Sequence, residues 1–316
     1  RGQIEDMVLS GALSVAPWSE MEGSNICDGA IEKHIEHILK DFPDELKLKV
    51  VLDCACGAAS VITPDLLGRL GCEVVALNCS PSGFFPHTIE PAEANLGDLI
   101  KATGELGADL GIAHDGDGDR MMAVDDNSRF IAGDKLLALF AQQVGARKVV
   151  TTIDASMVID EIGFSVTRTP VGDTYVSEEL RKGGDFGGEP SGSWIFPSSL
   201  LCPDGIYAAA RLAAIANRQK LSQLVDSIPC YPLLRGSVNG KGVVISHLKK
   251  RLLAMEPLSV SNVDGFKLNF EDGWLLIRES GTEPKIRITA EAKSESRVHQ
   301  LYDSAVKVIK ECLKGK

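Results

Sequence analysis

Short apolar runs rich in β-branched residues alternate with helical patterns through most of this chain, and that alternation limits its fold more than any other feature. Residues 50–52 read as a buried strand, followed by a helix over 64–70 with Thr63 as cap and Pro64 at its first position. A strand at 73–77, a helix over 92–106 and a strand at 109–113 running straight into a loop at 114–120 complete one unit. The pattern then restarts with a helix over 134–144, a strand at 148–152, a helix over 156–162 and a strand at 164–167. A helix over 174–181, a glycine-rich stretch at 183–188 and a long amphipathic helix over 204–216 follow. Strand–helix–strand alternation is the mark of parallel α/β layers, so two consecutive α/β units of similar size are expected. Further on, residues 263–270 and 274–278 look like hairpin strands about Glu271-Asp272-Gly273, and 286–290 alternates as a third strand. A helix over 294–313 capped by Ser294 closes a smaller α+β domain.

Charge and composition narrow the function. With 33 Lys+Arg against 44 Asp+Glu in 316 residues, the net charge of −11 argues against a nucleic-acid partner or an anionic membrane surface. Apolar runs such as 136–141 fall far short of the ~18–20 residues of a membrane span. The eight cysteines form no CxxC pair and no zinc-type spacing, which reads as reduced, buried thiols of a cytoplasmic protein. No signal peptide is evident, and Arg1 in place of an initiating Met implies residues upstream. No pattern assigns an oligomeric state.

Three constellations carry chemistry. Asp115-Gly116-Asp117-Gly118-Asp119-Arg120 directly follows an apolar strand. In an extended loop its carboxylates at i, i+2 and i+4 point the same way, and the glycines let the backbone bend round an ion. Three converging carboxylates repel unless a cation sits between them, and hard oxygen donors favour Mg²⁺ or Ca²⁺, Mg²⁺ commonly with a phosphate as a further ligand. An EF-hand would want Gly where Arg120 stands and a helix before the loop. A haloacid-dehalogenase-like phosphotransferase, with Asp115 as nucleophile, would want Thr or Val where Asp119 stands. The second constellation is Gly188-Glu189-Pro190-Ser191-Gly192, whose flanked carboxylate and hydroxyl suit neighbouring sugar hydroxyls; taken alone, such a cluster is also an ordinary turn. The third is the stretch from Arg278 through Glu279-Ser280-Gly281-Thr282-Glu283-Pro284 to Arg287. Two arginines there bracket hydroxyls and backbone N–H groups able to cradle a phosphate dianion, without the spacing of a P-loop.

Together the three motifs resemble the α-D-phosphohexomutase family of phosphoglucomutases, phosphomannomutases and phosphoglucosamine mutases. They occur in family order as its Mg²⁺ loop, sugar loop and phosphate loop. Thr169-Pro170-Val171-Gly172-Asp173, and Gly83-Phe84-Phe85-Pro86 with Glu90-Pro91, add to the likeness. The resemblance implies two consecutive α/β domains, residues 27–131 with the metal loop and 132–231 with the sugar loop. A smaller α+β phosphate-binding domain would follow over 232–316, and residues 1–26 would be a remnant of a first domain and its linker. The family's serine loop, resembling T-A-S-H-N-P, does not occur here, so its phosphoserine is expected upstream and this chain alone is expected to be inactive. Ser193 stands after the sugar loop where many relatives have His.

The resemblance further implies a mutase that interconverts hexose 1-phosphate and 6-phosphate through a phosphoserine and a bisphosphorylated intermediate. Asp115, Asp117 and Asp119 would hold Mg²⁺, with Arg120 supporting phosphoryl transfer. Gly172, Asp173, Gly188, Glu189 and Ser191 would bind the sugar, and Arg278, Ser280, Gly281, Thr282 and Arg287 the unreacting phosphate. Substrate and bisphosphate are the expected partners, with a lean toward phosphoglucosamine and phosphomannose and with phosphoglucose also open. A non-catalytic sugar-phosphate-binding protein and an Asp115-based phosphotransferase are the alternatives.

Overall fold

A computed structural model describes residues 2–21, 23, 24, 27–82, 84–239, 245–280 and 284–314. The chain divides into two compact units, Arg1–His37 and Ile38–Lys316. The first holds helix α1 (Gly2–Ser10), a 3-10 turn at Trp18–Glu20 and most of α2 (Ala30–Leu39). Gly11, at φ +67°, stops α1 in a left-handed conformation. Among the described residues, no helix is long and apolar enough to cross a membrane.

The second unit contains three sheets. In the first, β1 (Lys49–Asp53) lies between β2 (Glu73–Leu77) and β3 (Leu110–His114), parallel to both. β4 (Met121–Val124) and β5 (Phe130–Ile131) extend it antiparallel, giving the order β2-β1-β3-β4-β5. α3 (Thr63–Arg69) links β1 to β2, and α4 (Gly97–Glu105) leads into β3. Val50, Val51 and Leu52 are fully buried, because a central parallel strand is covered on both faces.

The second sheet repeats this wiring. After α5 (Gly133–Gln143), β6 (Lys148–Thr152) is followed by α6 (Val158–Glu161) and β7 (Ser165–Thr169), then α7 (Asp173–Arg181) and β8 (Phe186–Gly188). β6 pairs in parallel with β7 and β8, and β9 (Trp194–Ile195) returns antiparallel to β8. The β3–β4 and β8–β9 connections are therefore the same connection in two copies of one unit, and they contain the aspartate loop and the Glu189 loop. α8 (Gly205–Arg218) and α9 (Leu221–Asp226) lead onward, α8 packing back on β3, β4 and α3.

The third sheet is antiparallel, in the order β10-β14-β13-β12-β11. It comprises β10 (Leu233–Asn239), β11 (Ser259–Ser261), β12 (Phe266–Phe270), β13 (Gly273–Glu279) and β14 (Lys285–Ala292), with α10 (Ile245–Leu252) after β10 and α11 (Glu295–Lys314) last. Leu275, Ile277, Ile286, Ile288 and Ala290 form a core with Leu248, Leu252, Val298, Leu301, Ala305 and Ile309 of the two helices. Strand alternation places Trp274, Leu276 and Arg278 on the other face. Trp274 and Leu276 are buried there against Ile153, while Arg278 reaches past the covered area.

Several expectations change. Of the eight cysteines, Cys54 and Cys72 are buried, whereas Cys27, Cys202 and Cys230 are exposed. Thr63 lies inside α3 and caps nothing; its buried hydroxyl meets His114 Nε2 at 3.2 Å. The expected helix over 92–106 is a 3-10 turn at Glu93–Asn95 followed by α4, broken at Leu96, and the helix near 156–162 keeps a single turn. Ser294 does cap α11, its Oγ accepting from the Arg297 N–H at 3.3 Å. The turn between β12 and β13 has Glu271 and Asp272 at its centre, with Phe270 opposite Gly273. Gly273 is glycine because of strand approach, since a Cβ there would lie 2.3 Å from the Glu291 carbonyl oxygen.

Candidate functional site

The aspartate loop is fixed from below before it holds anything. Asp115 is buried, and its Oδ1 accepts from the N–H groups of Gly118 and Arg120, both at 3.1 Å. Gly118 at φ +79° wraps the chain round that carboxylate, so the three aspartates converge by a turn rather than along an extended loop. The Ala58 N–H donates to the Gly116 carbonyl at 2.9 Å, and Gly57 lies so close to Gly116 that a Cβ would clash at 2.4 Å.

His114, which the sequence reading did not single out, ties the two ends of the loop together. Its Nδ1 lies 3.0 Å from the Arg120 carbonyl, which can only accept, so Nδ1 carries the proton and Nε2 accepts from Thr63. Complete burial lowers its pKa to about 4, keeping the ring neutral.

One carboxylate oxygen from each of Asp115, Asp117 and Asp119 lies within 4.8 Å of the others, and such a group could hold a metal ion. Burial, then the charges of Asp119 and Asp117, push the Asp115 carboxyl up to about 7, against the pull of the Arg120 N–H. A cation among these oxygens would remove that strain. The donor set fits a hard divalent ion whose oxygen ligands lie at about 2.0–2.1 Å. Arg120 supplies part of the countercharge, its Nε standing 3.6 Å from Asp115 and 3.9 Å from Asp119.

The two equivalent loops meet face to face. Arg120 and Ser193 form an antiparallel bridge, the Met121 N–H donates to the Gly192 carbonyl at 2.9 Å, and the Trp194 indole N–H donates to the Met121 carbonyl at 2.7 Å. Gly133 presses on the same loop, since a Cβ there would stand 1.8 Å from the Pro190 oxygen. Glu189 is buried, its Oε1 accepting from the Gly172 N–H at 2.7 Å, and burial raises its pKa. Ser191 is exposed at the cleft, and Asp173 begins α7 beside it.

On the third sheet, Arg278 donates through Nη1 to Asp264 Oδ2 at 2.9 Å, and the same oxygen accepts from the Val171 N–H at 3.2 Å. Asp264 thus joins the arginine to the segment that carries Gly172 and, through it, Glu189. No motif announced Asp264, because its partners come from distant parts of the chain. The Ser280 hydroxyl is buried without a hydrogen-bond partner among the described residues. Gly281 and Thr282, expected beside it in the phosphate loop, lie outside the described residues, as does Gly83.

A cleft of about 710 Å³ brings the expectations together. Arg120, Gly172, Asp173, Glu189, Ser191, Arg278 and Arg287 all line it. Asp115, Asp117, Asp119 and Gly188 do not line it: the aspartate loop adjoins it through Arg120, whose Nε lies 3.6 Å from Asp115 and 3.9 Å from Asp119, and Gly188 lies in β8 next to Glu189.

Comparison with known proteins then decides the family. Models described as phosphoglucomutase/phosphomannomutase alpha/beta/alpha domain II, alpha/beta/alpha domain III and C-terminal domain match residues 32–128, 132–231 and 241–308. The chain belongs to the phosphoglucomutase/phosphomannomutase family. A probable phosphoglucosamine mutase of Methanocella arvoryzae is 44% identical over 320 residues, spanning 98% of this chain and 72% of that relative. A crystal structure of a phosphoglucomutase/phosphomannomutase family protein from Burkholderia thailandensis superposes with a TM-score of 0.86 at 27% identity, covering 100% of this chain and 71% of that one. Aspergillus fumigatus N-acetylphosphoglucosamine mutase, solved with GlcNAc-6P and magnesium, shares the fold at a TM-score of 0.63 and 15% identity, over 92% of this chain and 67% of that one. The relatives in this phosphohexomutase family are named as mutases, an isomerase class.

Proposed function

We propose that this chain binds the metal and the sugar phosphate of a phosphohexomutase acting on hexose 1- and 6-phosphates, with phosphoglucosamine as the favoured substrate. The observation that carries this reading is the single cleft onto which Arg120, Glu189, Ser191, Arg278 and Arg287 all open. The 44% identity to a probable phosphoglucosamine mutase supports the choice of sugar.

Each residue's part follows from its surroundings. Asp115, Asp117 and Asp119 hold Mg²⁺, which supplies charge neutralisation at the transferring phosphoryl group. Arg120, held between Asp115 and Asp119, adds a guanidinium on the cleft side. Glu189 has one oxygen fixed by Gly172 and leaves the other for sugar hydroxyls, with Ser191 alongside. Arg278 and Arg287 grip the phosphate that is not reacting, joined by Ser280, Gly281 and Thr282. A sugar held by its hydroxyls at one point and one phosphate at another can present either end to the same phosphoryl donor, which is what exchange between positions 1 and 6 requires. The donor is the family's phosphoserine, which residues 1–316 do not contain. Asp115 is poorly suited to replace it as a nucleophile, because it is buried and one oxygen already accepts two backbone bonds.

The test uses purified residues 1–316 with Mg²⁺, glucose 1,6-bisphosphate and, in turn, glucosamine, mannose and glucose 1-phosphates. Binding is followed by calorimetry and conversion by ³¹P NMR. Saturable binding without conversion is expected, tightest for the glucosamine compound. Conversion would overturn the placement of the phosphoserine, and absence of binding by all three sugars would overturn the mutase reading.

A further inference from the structure

A second cavity, of about 280 Å³, opens beside the main cleft and is lined by Arg235, Arg278, Lys285 and Arg287 with Asp154 as the one acidic side chain. Four cationic groups against one carboxylate make an anion site. Three of its arginines, Arg235, Arg278 and Arg287, also line the main cleft, so they stand where the two cavities join. Arg278 and Arg287 belong to the motif read from the sequence; Arg235 lies more than forty residues away and belongs to no motif.

Sheet register explains the meeting. Arg235 on β10 pairs with Thr289 on β14, Ser237 with Arg287, and Arg287 in turn with Arg278 on β13. Directly paired residues share a face, and so do alternate residues along a strand, so all three guanidinium groups rise from one side of this sheet.

The present contacts of Arg235 are weak. Its Nη2 stands 3.4 Å from Asp134 Oδ2 and 3.4 Å from the Asp154 carbonyl, the outer limit of hydrogen bonding, and its side chain is 45% exposed. Of its side-chain nitrogens, only Nη2 has hydrogen-bond partners among the described residues. The Asp134 carboxylate keeps another donor without it, since the Ser156 N–H donates to Asp134 Oδ1 at 2.6 Å. A guanidinium with free donors, loose partners and an anion pocket beside it is poised to change partners.

We infer that Arg235 is a third arginine of the substrate-phosphate site, leaving Asp134 and the Asp154 carbonyl to bind a sugar-borne phosphate together with Arg278 and Arg287. The inference rests on the phosphate-site reading given above. Arg235 touches the ligand; it takes no part in bond making.

Calorimetry with glucose 1,6-bisphosphate on the whole 316-residue chain tests it, comparing the unaltered protein with Arg235→Gln, Arg235→Lys and Arg287→Gln. Loss of a charged contact to phosphate is expected to raise Kd at least about tenfold in both glutamine variants. Arg235→Lys, which keeps the charge, recovers part of that loss, and the rise in Tm on adding bisphosphate shrinks in Arg235→Gln whatever its starting Tm. An unchanged Kd in Arg235→Gln beside a weakened Arg287→Gln would overturn the role of Arg235 alone and leave it a tether. Equal weakening in both Arg235 variants, with equal loss of ligand-free Tm, would also overturn it, since the effect would then come through the fold. An unchanged Kd in both glutamine variants would instead overturn the phosphate site itself.

Discussion

Asp117 is the most exposed of three carboxylates that have been brought together against their mutual repulsion. Asp117→Asn is expected to weaken Mg²⁺ binding about tenfold or more while raising Tm in EDTA, because it removes both a ligand and a like charge. Calorimetric titration and a thermal scan read the two effects, whose opposite signs separate a metal site from an ordinary surface cluster. Gly133→Ala would drive a methyl group into the Pro190 oxygen and is expected to cost about 1–3 kcal/mol or more, read as a shift in the urea midpoint. At this scale the spacing of Asp115, Asp117 and Asp119 made the cluster legible. His114 was not legible, because its contacts with Thr63 and Arg120 depend on how α3 and the aspartate loop meet at the end of β3.

Alternation along a strand does the positioning work among the elements. Trp274, Leu276 and Arg278 share a face; the first two bury against the second α/β layer, so the third is delivered to the cleft edge. Asp264 then fixes Arg278 and the Val171 N–H with one oxygen. Asp264→Ala is expected to weaken hexose-phosphate binding several-fold and leave Mg²⁺ affinity unchanged, both by titration, because the aspartate loop stands on a different sheet. Ser294→Ala is expected to cost about 1 kcal/mol in chemical denaturation through loss of the α11 cap. Strands with apolar runs were legible in the sequence; β8 was not, because its Phe186-Gly187-Gly188 looks like a loop. Its glycines answer to packing instead. A Cβ on Gly187 would lie 2.8 Å from the Val150 oxygen and 2.9 Å from both Leu180 and Val176.

Across the molecule, the second and third sheets are joined through buried polar groups rather than a purely apolar seam. Glu291 accepts from the Ser156 hydroxyl, from the Met157 N–H at 2.7 Å and from the Trp274 indole at 2.6 Å. Lys267 donates to the Ile153 carbonyl at 2.9 Å and lies 3.8 Å above the Trp274 ring. Burial, then repulsion by Arg168, lowers the Lys267 pKa to about 7, from about 10.4 in an unfolded chain. Between those values the unfolded chain binds the extra proton, so unfolding free energy should rise with pH from about 7 toward 10. Below about 7 the penalty for burying the charge is fully present. Denaturant titrations over that range should show the rise in the unaltered chain and its loss in Lys267→Met, which keeps the apolar stem over Trp274. The sequence disclosed two α/β units and a third domain, but not the junction, since Lys267 and Glu291 look like ordinary charged strand residues until Ile153 and Ser156 cover them.

One sugar phosphate is proposed to span the Glu189 loop and the arginine pocket. A crystal structure of the chain soaked with glucosamine 6-phosphate and Mn²⁺ tests it most directly. Anomalous density among Asp115, Asp117 and Asp119, phosphate density between Arg278 and Arg287, and sugar hydroxyls against Glu189 are expected. A sugar phosphate bound elsewhere, or a phosphate against the aspartates with the arginine pocket filled by water, would contradict it.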